Sequence, residues 1–379
     1  MNIAFFTDTY LPNSDGIVNS IILLRKRFEL KGHKVFIFCP GSKKQKIQNK
    51  DDHVYYFTST IFKPYPDYRI ALFPFLSAIK RVKENKIDLI HSHGIATTGI
   101  AAIQCAKKLK IPSVATFHTM IPDGIHYLTK NSSLQDFLKS VSWKYLRWYY
   151  SNFDNVIVPS LNVKKILQSQ EIKNLHLIPN GIDCIRFKKG DGSKIRKKLR
   201  VLKNPIILTV GRIAQEKNLE LIINSANNIL NVYPNAKFII IGKGPAKEYY
   251  ESLVKSKGLS KNFIFTGFVS DLELPDYYSA ADVFAFPSEF DTQGLVILES
   301  LSANTPVVVK SNSAPAEIIK DSYNGYVFND HFDFSQKIIC AIKNNELLKE
   351  NIKKEKNDFS IESSSQKILN LYNSMISSP

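Results

Sequence analysis

Arg212 and Lys217 stand five residues apart in Gly211-Arg-Ile-Ala-Gln-Glu-Lys217, directly after the apolar run Pro205-Ile-Ile-Leu-Thr-Val210. Two cations at a strand–helix junction suit a diphosphate. Arginine supplies a planar fork of donors, lysine a mobile point charge, and the start of the next helix unpaired amides. The same lysine also fits a solvated pair with Glu216 or Glu220, and spacing alone leaves both readings open. Gly242 and Gly244, in Ile241-Gly-Lys-Gly-Pro245, permit close backbone approach to a bound group or make a plain connection. The most specific segment is Pro287-Ser-Glu-Phe-Asp-Thr-Gln-Gly-Leu-Val-Ile-Leu-Glu299, again after an apolar run. Asp291 sits in its loop, and Gly294 opens a helix whose first amides, near Leu295 and Val296, lack partners. Glu299 follows Asp291 by eight residues, about two helical turns. One carboxylate can meet sugar hydroxyls and the other a ribose; alternatively Asp291 is a helix cap and Glu299 a surface residue.

Loops that carry such groups need strands to hold them. Asn2–Thr7, Lys34–Cys39, Asp88–His91, Ser113–His118, Asn155–Val158 and Leu175–Ile178 read as short strands separated by helical segments. After a basic linker, Gly190 to Lys203, the pattern restarts with Pro205–Val210, Ala236–Ile241, Phe263–Phe265, Val283–Phe286 and Pro306–Val309. The expected fold is α/β: two doubly wound, Rossmann-like parallel sheets facing each other across a cleft, with ligands beyond the carboxyl ends of the strands. The expected domains are 1–190, 191–359 and a terminal helix, 360–379, packing on the first domain through Ile361, Ile368, Leu371 and Tyr372.

Length agrees, since 379 residues exceed the ~150 of one ordinary domain. The net charge of +17 is one-sided. Residues 1–190 hold 28 Lys+Arg against 13 Asp+Glu, whereas residues 191–379 hold 23 against 21. Such a field marks a lobe that meets nucleic acid or anionic lipid, unless it only reflects a lysine-rich composition. No nucleic-acid-binding module is visible, so no nucleic-acid partner is expected. Cys39, Cys105, Cys184 and Cys340 are far apart and form no Cys-x-x-Cys pair, which argues against a disulfide framework or zinc site and fits a reducing cytoplasm. Neither a basic leader nor a run of ~18 apolar residues is present.

Together Gly211, Arg212, Glu216, Lys217 and the Asp291–Glu299 pair resemble the retaining glycosyltransferases of family four (glycosyl transferases group 1), which include sucrose synthases, mannosyltransferases and bacterial glycolipid synthases. The resemblance covers nearly the whole chain and implies the two-lobed GT-B fold, with a nucleotide-sugar lobe at the C-terminus and an acceptor lobe at the N-terminus. It implies that Arg212 and Lys217 grip the donor diphosphate and that Glu299 takes the ribose hydroxyls. Asp291, with the amides near Gly294 and Leu295, would take the transferred sugar. The family usually has glutamate at position 291, glycine at 304 where this chain has asparagine, and glycines where it has Ser313-Ala-Pro-Ala-Glu317. In the first lobe Asp15-Gly16-Ile17 resembles a glycine loop near the donor phosphate, and His118 a histidine beside the transferred sugar. By itself, a histidine at a strand end is more often structural.

Two features point to a membrane acceptor. Phe137 to Tyr150 interleaves Lys139, Lys144 and Arg147 with Trp143, Tyr145, Trp148, Tyr149 and Tyr150, as an interfacial helix or as a helix packing its rings on the sheet. Lys80, Arg81, Lys83 and Lys86 form a second basic run. The segments Pro64 to Leu72 and Asp291-Thr-Gln-Gly294 also look like those of glycolipid-forming members. The expected activity is a retaining, metal-independent hexosyl transfer from UDP-glucose, UDP-galactose or GDP-mannose to a lipid such as diacylglycerol, with no cofactor. The expected location is peripheral, on the cytoplasmic face of the cell membrane. The alternatives are transfer to a soluble or polyprenyl-linked glycan, or sugar-nucleotide epimerisation on the same fold.

Overall fold

The computed structural model describes residues 1–13, 15–62, 69–127, 131–355 and 358–377, and the side chains of 123, 126 and 127 are not considered. Residues 64–68 of the segment read as a glycolipid cue lie outside the described residues. The chain divides into two compact units, Met1–Gly181 with Ser360–Pro379, and Ile182–Phe359.

In the first unit eight strands form one sheet: β1 (Asn2–Phe6), β2 (Lys34–Gly41), β3 (Val54–Ile61), β4 (Arg69–Ala71), β5 (Leu89–Ser92), β6 (Ser113–Thr116), β7 (Asn155–Val158) and β8 (Leu175–Leu177). Their order is β4-β3-β2-β1-β5-β6-β7-β8, parallel throughout except at β3–β4. The chain winds outward from β1 to one side, then crosses to β5 on the other, which leaves a topological switch point between β1 and β5. The Gly16–Leu30 helix starts where the Asp15 carboxylate accepts from the Val18 amide at 2.9 Å. Its buried Val18, Ile21, Leu24 and Phe28 recur at helical spacing and pack on the sheet.

The terminal helix, Ile361–Ser377, belongs to this unit: Ile361, Ile368, Leu369 and Tyr372 share a core with Phe5, Phe28 and Val35. Arg27 pairs with Glu362, and Lys31 donates to Gln366. Burying Ile361 and Tyr372 completely contributes roughly 2 kcal/mol each, far more than these exposed polar contacts.

The second unit holds β9 (Ile206–Val210), β10 (Lys237–Ile241), β11 (Phe263–Gly267), β12 (Val283–Phe286), β13 (Val307–Lys310) and β14 (Gly325–Phe328), all parallel, in the order β11-β10-β9-β12-β13-β14. Ile206, Leu208, Ile239 and Phe284 enter one core, and Ile207, Phe238, Ile240 and Val283 the other. Both faces are covered, which is why these strands read as unbroken apolar runs. The expected domain boundary at residue 190 lies instead at 181/182, because Ile182, Phe187, Ile195 and Val201 are buried in the second unit's core. With that boundary the first unit still carries 26 Lys+Arg against 13 Asp+Glu, and the second 25 against 21.

Candidate functional site

The second sheet reverses its winding between β9 and β12, and the loops after those two strands carry the predicted diphosphate cations and carboxylate. After β9 the chain turns at Gly211, passes Arg212, and makes a single 3₁₀ turn, Gln215–Lys217. Asn218, left-handed at φ 50°, then starts the Leu219–Val232 helix. Arg212 and Lys217 line one recess with Thr209, Ile241, Phe286 and Ser288.

Lys217 pairs neither with Glu216 nor with Glu220. Its Nζ donates to both oxygens of Asp291, each at 2.7 Å, and lies 5.8 Å over the Phe286 ring. Asp291 also accepts from the Ser288 hydroxyl at 2.5 Å. Both members of the ion pair are three-quarters buried, where a charge pair is screened far less than at the surface. Asp291 is not a helix cap. The Leu295–Ser302 helix is opened by Gly294 at φ 78°, a conformation that suits glycine, and no side chain caps it. Its first-turn amides, including those of Leu295 and Val296, therefore remain as donors that the helix itself cannot pair. Gly242 and Gly244 have a packing role that needs no ligand: a Cβ on either would collide with a carbonyl oxygen, of Gly211 and of Ile213 respectively.

Glu299 is not a plain surface residue. Its Oε2 accepts from the Tyr278 hydroxyl at 2.8 Å. Burial pushes the carboxyl up to about 7, opposed by the Tyr278 hydrogen bond and by the Arg186 charge, while Asp271 reinforces the rise. Asp291 and Glu299 thus differ in environment, the first facing Lys217 and the second a tyrosine hydroxyl.

In the first unit, strand β6 ends at Thr116 and His118 follows two residues later. Burial pushes the His118 imidazole down to about 4, so it is neutral at physiological pH. Gly16 is the exposed first residue of its helix, with Asp15 as the cap. Two histidines at the end of the switch-point strand β5 lie near His118: His91, within the strand, is completely buried, and His93, just after it, has Nδ1 3.0 Å from His118 Nε2.

The basic aromatic segment lies on one helix, Ser132–Tyr150, and its rings divide between two surroundings. Leu146, Tyr149 and Tyr150 are buried, and Tyr145 donates to the Ile95 carbonyl, so this face packs on the sheet. Leu134, Phe137, Val141 and Trp148 are exposed, beside Lys144 and Arg147; Trp143 and Lys139 are half-buried. Arg147 approaches Glu171 at 3.6 Å. Lys80 and Arg81 lie on the Phe75–Glu84 helix near Glu84, and at the start of that helix Phe73 and Leu76 are 88% and 80% exposed. Among the described residues, no group of three or more His, Cys, Asp or Glu could hold a metal ion, and no helix is long and apolar enough to cross a membrane. The partners Ser288, Tyr278 and His93 escape a reading by chain spacing. A hydroxyl two residues after β12 and a His-x-His at the end of β5 are the signals that point to two of them.

Residues 191–358 match the family model "Glycosyl transferases group 1", and residues 14–186 match "Glycosyltransferase Family 4". The chain is 31% identical over 359 residues to the alpha-monoglucosyldiacylglycerol synthase of Acholeplasma laidlawii, covering 92% of this chain and 90% of that one. It is 24% identical to a GDP-mannose-dependent alpha-mannosyltransferase of Corynebacterium glutamicum, over 90% of this chain and 79% of that one. Among solved structures, Anabaena HepE in complex with UDP-glucose superposes with a TM-score of 0.79 at 18% identity, covering 99% and 100% of the two chains. Sucrose-phosphate synthase from Thermosynechococcus elongatus gives 0.79 at 19% identity, over 100% of both chains, so the fold is GT-B.

Proposed function

This chain belongs to the glycosyl transferases group 1 / family 4 enzymes, and from that premise we propose that it moves a hexose from a nucleotide sugar to a membrane lipid acceptor such as diacylglycerol, with retention and without a metal. The observation that carries the acceptor is the 31% identity, along nine-tenths of the chain, to a protein named for making monoglucosyldiacylglycerol. The name of that relative supports glucose as the sugar and the HepE complex with UDP-glucose supports UDP as its carrier, so UDP-glucose is the proposed donor, with UDP-galactose and GDP-mannose as the alternatives to test.

Arg212, Lys217 and the first amides of the Leu295–Ser302 helix are assigned to the leaving diphosphate. When the bond from the sugar to the diphosphate breaks, that group gains negative charge, and cations held in place beforehand stabilise it without reorganising. They supply a reason why a metal is dispensable. Asp291 orients Lys217, Glu299 takes the ribose hydroxyls, and Gly16 and His118 serve the sugar and the acceptor. Gly242 and Gly244 keep the diphosphate loop in shape.

The first unit's excess of basic residues, with Phe73, Leu76, Phe137 and Trp148 exposed among them, supports peripheral attachment to an anionic bilayer. The test is release of UDP or GDP from the three nucleotide sugars, with and without diacylglycerol vesicles, together with recovery of the glycolipid. No stimulation by the lipid with any donor would sink the reading, and sugar interconversion without acceptor would replace it with epimerisation.

A further inference from the structure

The short helix Cys184–Lys188 lies just past the domain boundary and starts where the Asp183 carboxylate accepts from the Arg186 amide at 3.0 Å. Phe187 fixes this helix to the second unit. Its ring is buried in one core with Tyr278, Ile297 and Leu298, and meets Tyr278 edge-on with centroids 5.6 Å apart. Tyr278 in turn donates to Glu299 Oε2 at 2.8 Å. A line of packed groups thus runs from this helix to the carboxyl assigned to the ribose.

Arg186 stands at the head of that line. Its guanidinium carbon lies 4.6 Å over the Phe187 ring, its Nε is buried without a hydrogen-bond partner, and among the described residues it forms no ion pair. An arginine keeps its proton throughout the working range of pH, so a half-buried positive charge stays beside the Tyr278–Glu299 pair with no carboxylate bonded to it. Its influence is therefore exerted at a distance, where partial burial leaves it less screened than a surface charge.

Glu299 is faced from three sides. The Leu274–Ala280 helix brings the Tyr278 hydroxyl, the Cys184–Lys188 helix brings Arg186, and the turn after β11 brings the exposed Asp271. Burial pushes the Glu299 carboxyl up, Tyr278 and Arg186 oppose the rise, and Asp271 adds to it. With Oε2 taken by Tyr278, Oε1 is the oxygen left for a ligand.

We propose that Arg186 is a positioning residue for the donor: it touches no ligand and acts through Glu299, holding that carboxyl in the charged form that accepts the ribose hydroxyls. The ribose contact rests on the function proposed above for Glu299. The action of Arg186 on the carboxyl does not.

The test uses the full chain with ¹³C at the glutamate side-chain carboxyls, Glu299→Gln to locate the Glu299 signal, and calorimetry of UDP binding from pH 5.5 to 9. In Arg186→Gln the Glu299 midpoint should rise by about half a pH unit or more, the effect of losing one partly screened charge. UDP should then bind about threefold more weakly than to wild type below pH 7 and equally well at pH 9, each pair compared at one pH so that titration of UDP itself cancels. Arg186→Met keeps apolar contact with Phe187, lacks the charge, and should behave as the Gln variant does. Arg186→Lys should restore the wild-type midpoint. Asp271→Asn should move the midpoint downward, and by less, because that carboxylate is exposed. A packing role alone predicts neither the opposite signs nor the rescue by lysine. The proposal is overturned by an unmoved midpoint in whichever neutral variant folds, or by UDP binding weakened equally at every pH, which would mean that Arg186 meets the ligand itself. A midpoint that moves while UDP affinity does not follow strikes the ribose role of Glu299 and leaves the hold of Arg186 on the carboxyl standing.

Discussion

Replacing Glu299 by glutamine is expected to strengthen the fold above neutral pH while weakening the donor site. Burial raises this carboxyl from its ordinary 4.5 to about 7. A carboxyl raised in the folded state favours folding fully below its unfolded value, and that contribution is lost as the pH climbs through about 7. The gap between 4.5 and about 7 is worth roughly 3 kcal/mol at ~1.4 kcal/mol per pH unit, and partial exposure brings it nearer ~2 kcal/mol. Glutamine keeps an acceptor for the Tyr278 hydroxyl and has no charge to bury. Urea unfolding should therefore show Glu299→Gln about as stable as wild type near pH 4.5 and ~2 kcal/mol more stable at pH 8, with the slope against denaturant unchanged. If the ribose hydroxyls require the carboxylate, wild-type affinity for UDP should also fall as the pH drops below about 7, approaching tenfold per unit, whereas the weaker binding by the variant should be flat. A stability difference that is the same at pH 4.5 and pH 8 would refute the reasoning.

Three further outcomes follow from the geometry. Lys217→Ala and Arg212→Ala should each lower kcat by roughly 10²–10³, the usual loss for one preorganised donor to developing charge, and turnover near wild type in both would remove the diphosphate assignment. Asp291→Asn leaves Lys217 without its charge partner and should lower kcat by about tenfold or more, while Asp291→Glu should retain more activity than the Asn variant; the opposite order in UDP release would mean that charge on this residue is not what orients the lysine. Phe73→Ser combined with Leu76→Ser should reduce co-sedimentation with anionic vesicles by about tenfold per residue, leaving UDP binding in calorimetry unchanged, and undiminished sedimentation would place the membrane contact elsewhere.

Much of the fold can be read from the sequence because buried parallel strands leave a local trace. Ile206–Val210 and Lys237–Ile241 are covered on both faces and have no polar alternation to confuse them with anything else. Strand β3 leaves a weaker trace and is not among the expected strands: only Val54 and Phe57 of Val54–Ile61 are buried, and its apolar residues are interrupted by Thr58, Ser59 and Thr60. Strand β14 opens on Gly325 behind Asn324, a pair that reads as a turn and masks the three apolar residues after it. The domain boundary fails for a related reason. Residues 190–203 look like a basic linker because their lysines and arginines dominate the composition, yet Ile195 and Val201 within them, with Ile182 and Phe187 just before, decide which core the segment joins.

The site divides along the same line. What depends on the loop after a strand is legible, because the sheet order places the loops after β9 and β12 on either side of one switch point, and Arg212, Lys217 and Asp291 lie on those loops. What depends on pairing between loops is not, since the contact between Lys217 and Asp291 joins residues 74 positions apart and no local spacing encodes it. That contact bears on the departure from glutamate at position 291. A carboxylate offers about four acceptor positions, and here Lys217 engages both oxygens while Ser288 takes one of them again. On the proposed assignment the shorter aspartate side chain aligns the lysine, and the amides at the start of the Leu295–Ser302 helix join Arg212 and Lys217 in meeting the diphosphate. On that assignment the substitution moves the carboxylate's action from the ligand to the cation proposed to meet it.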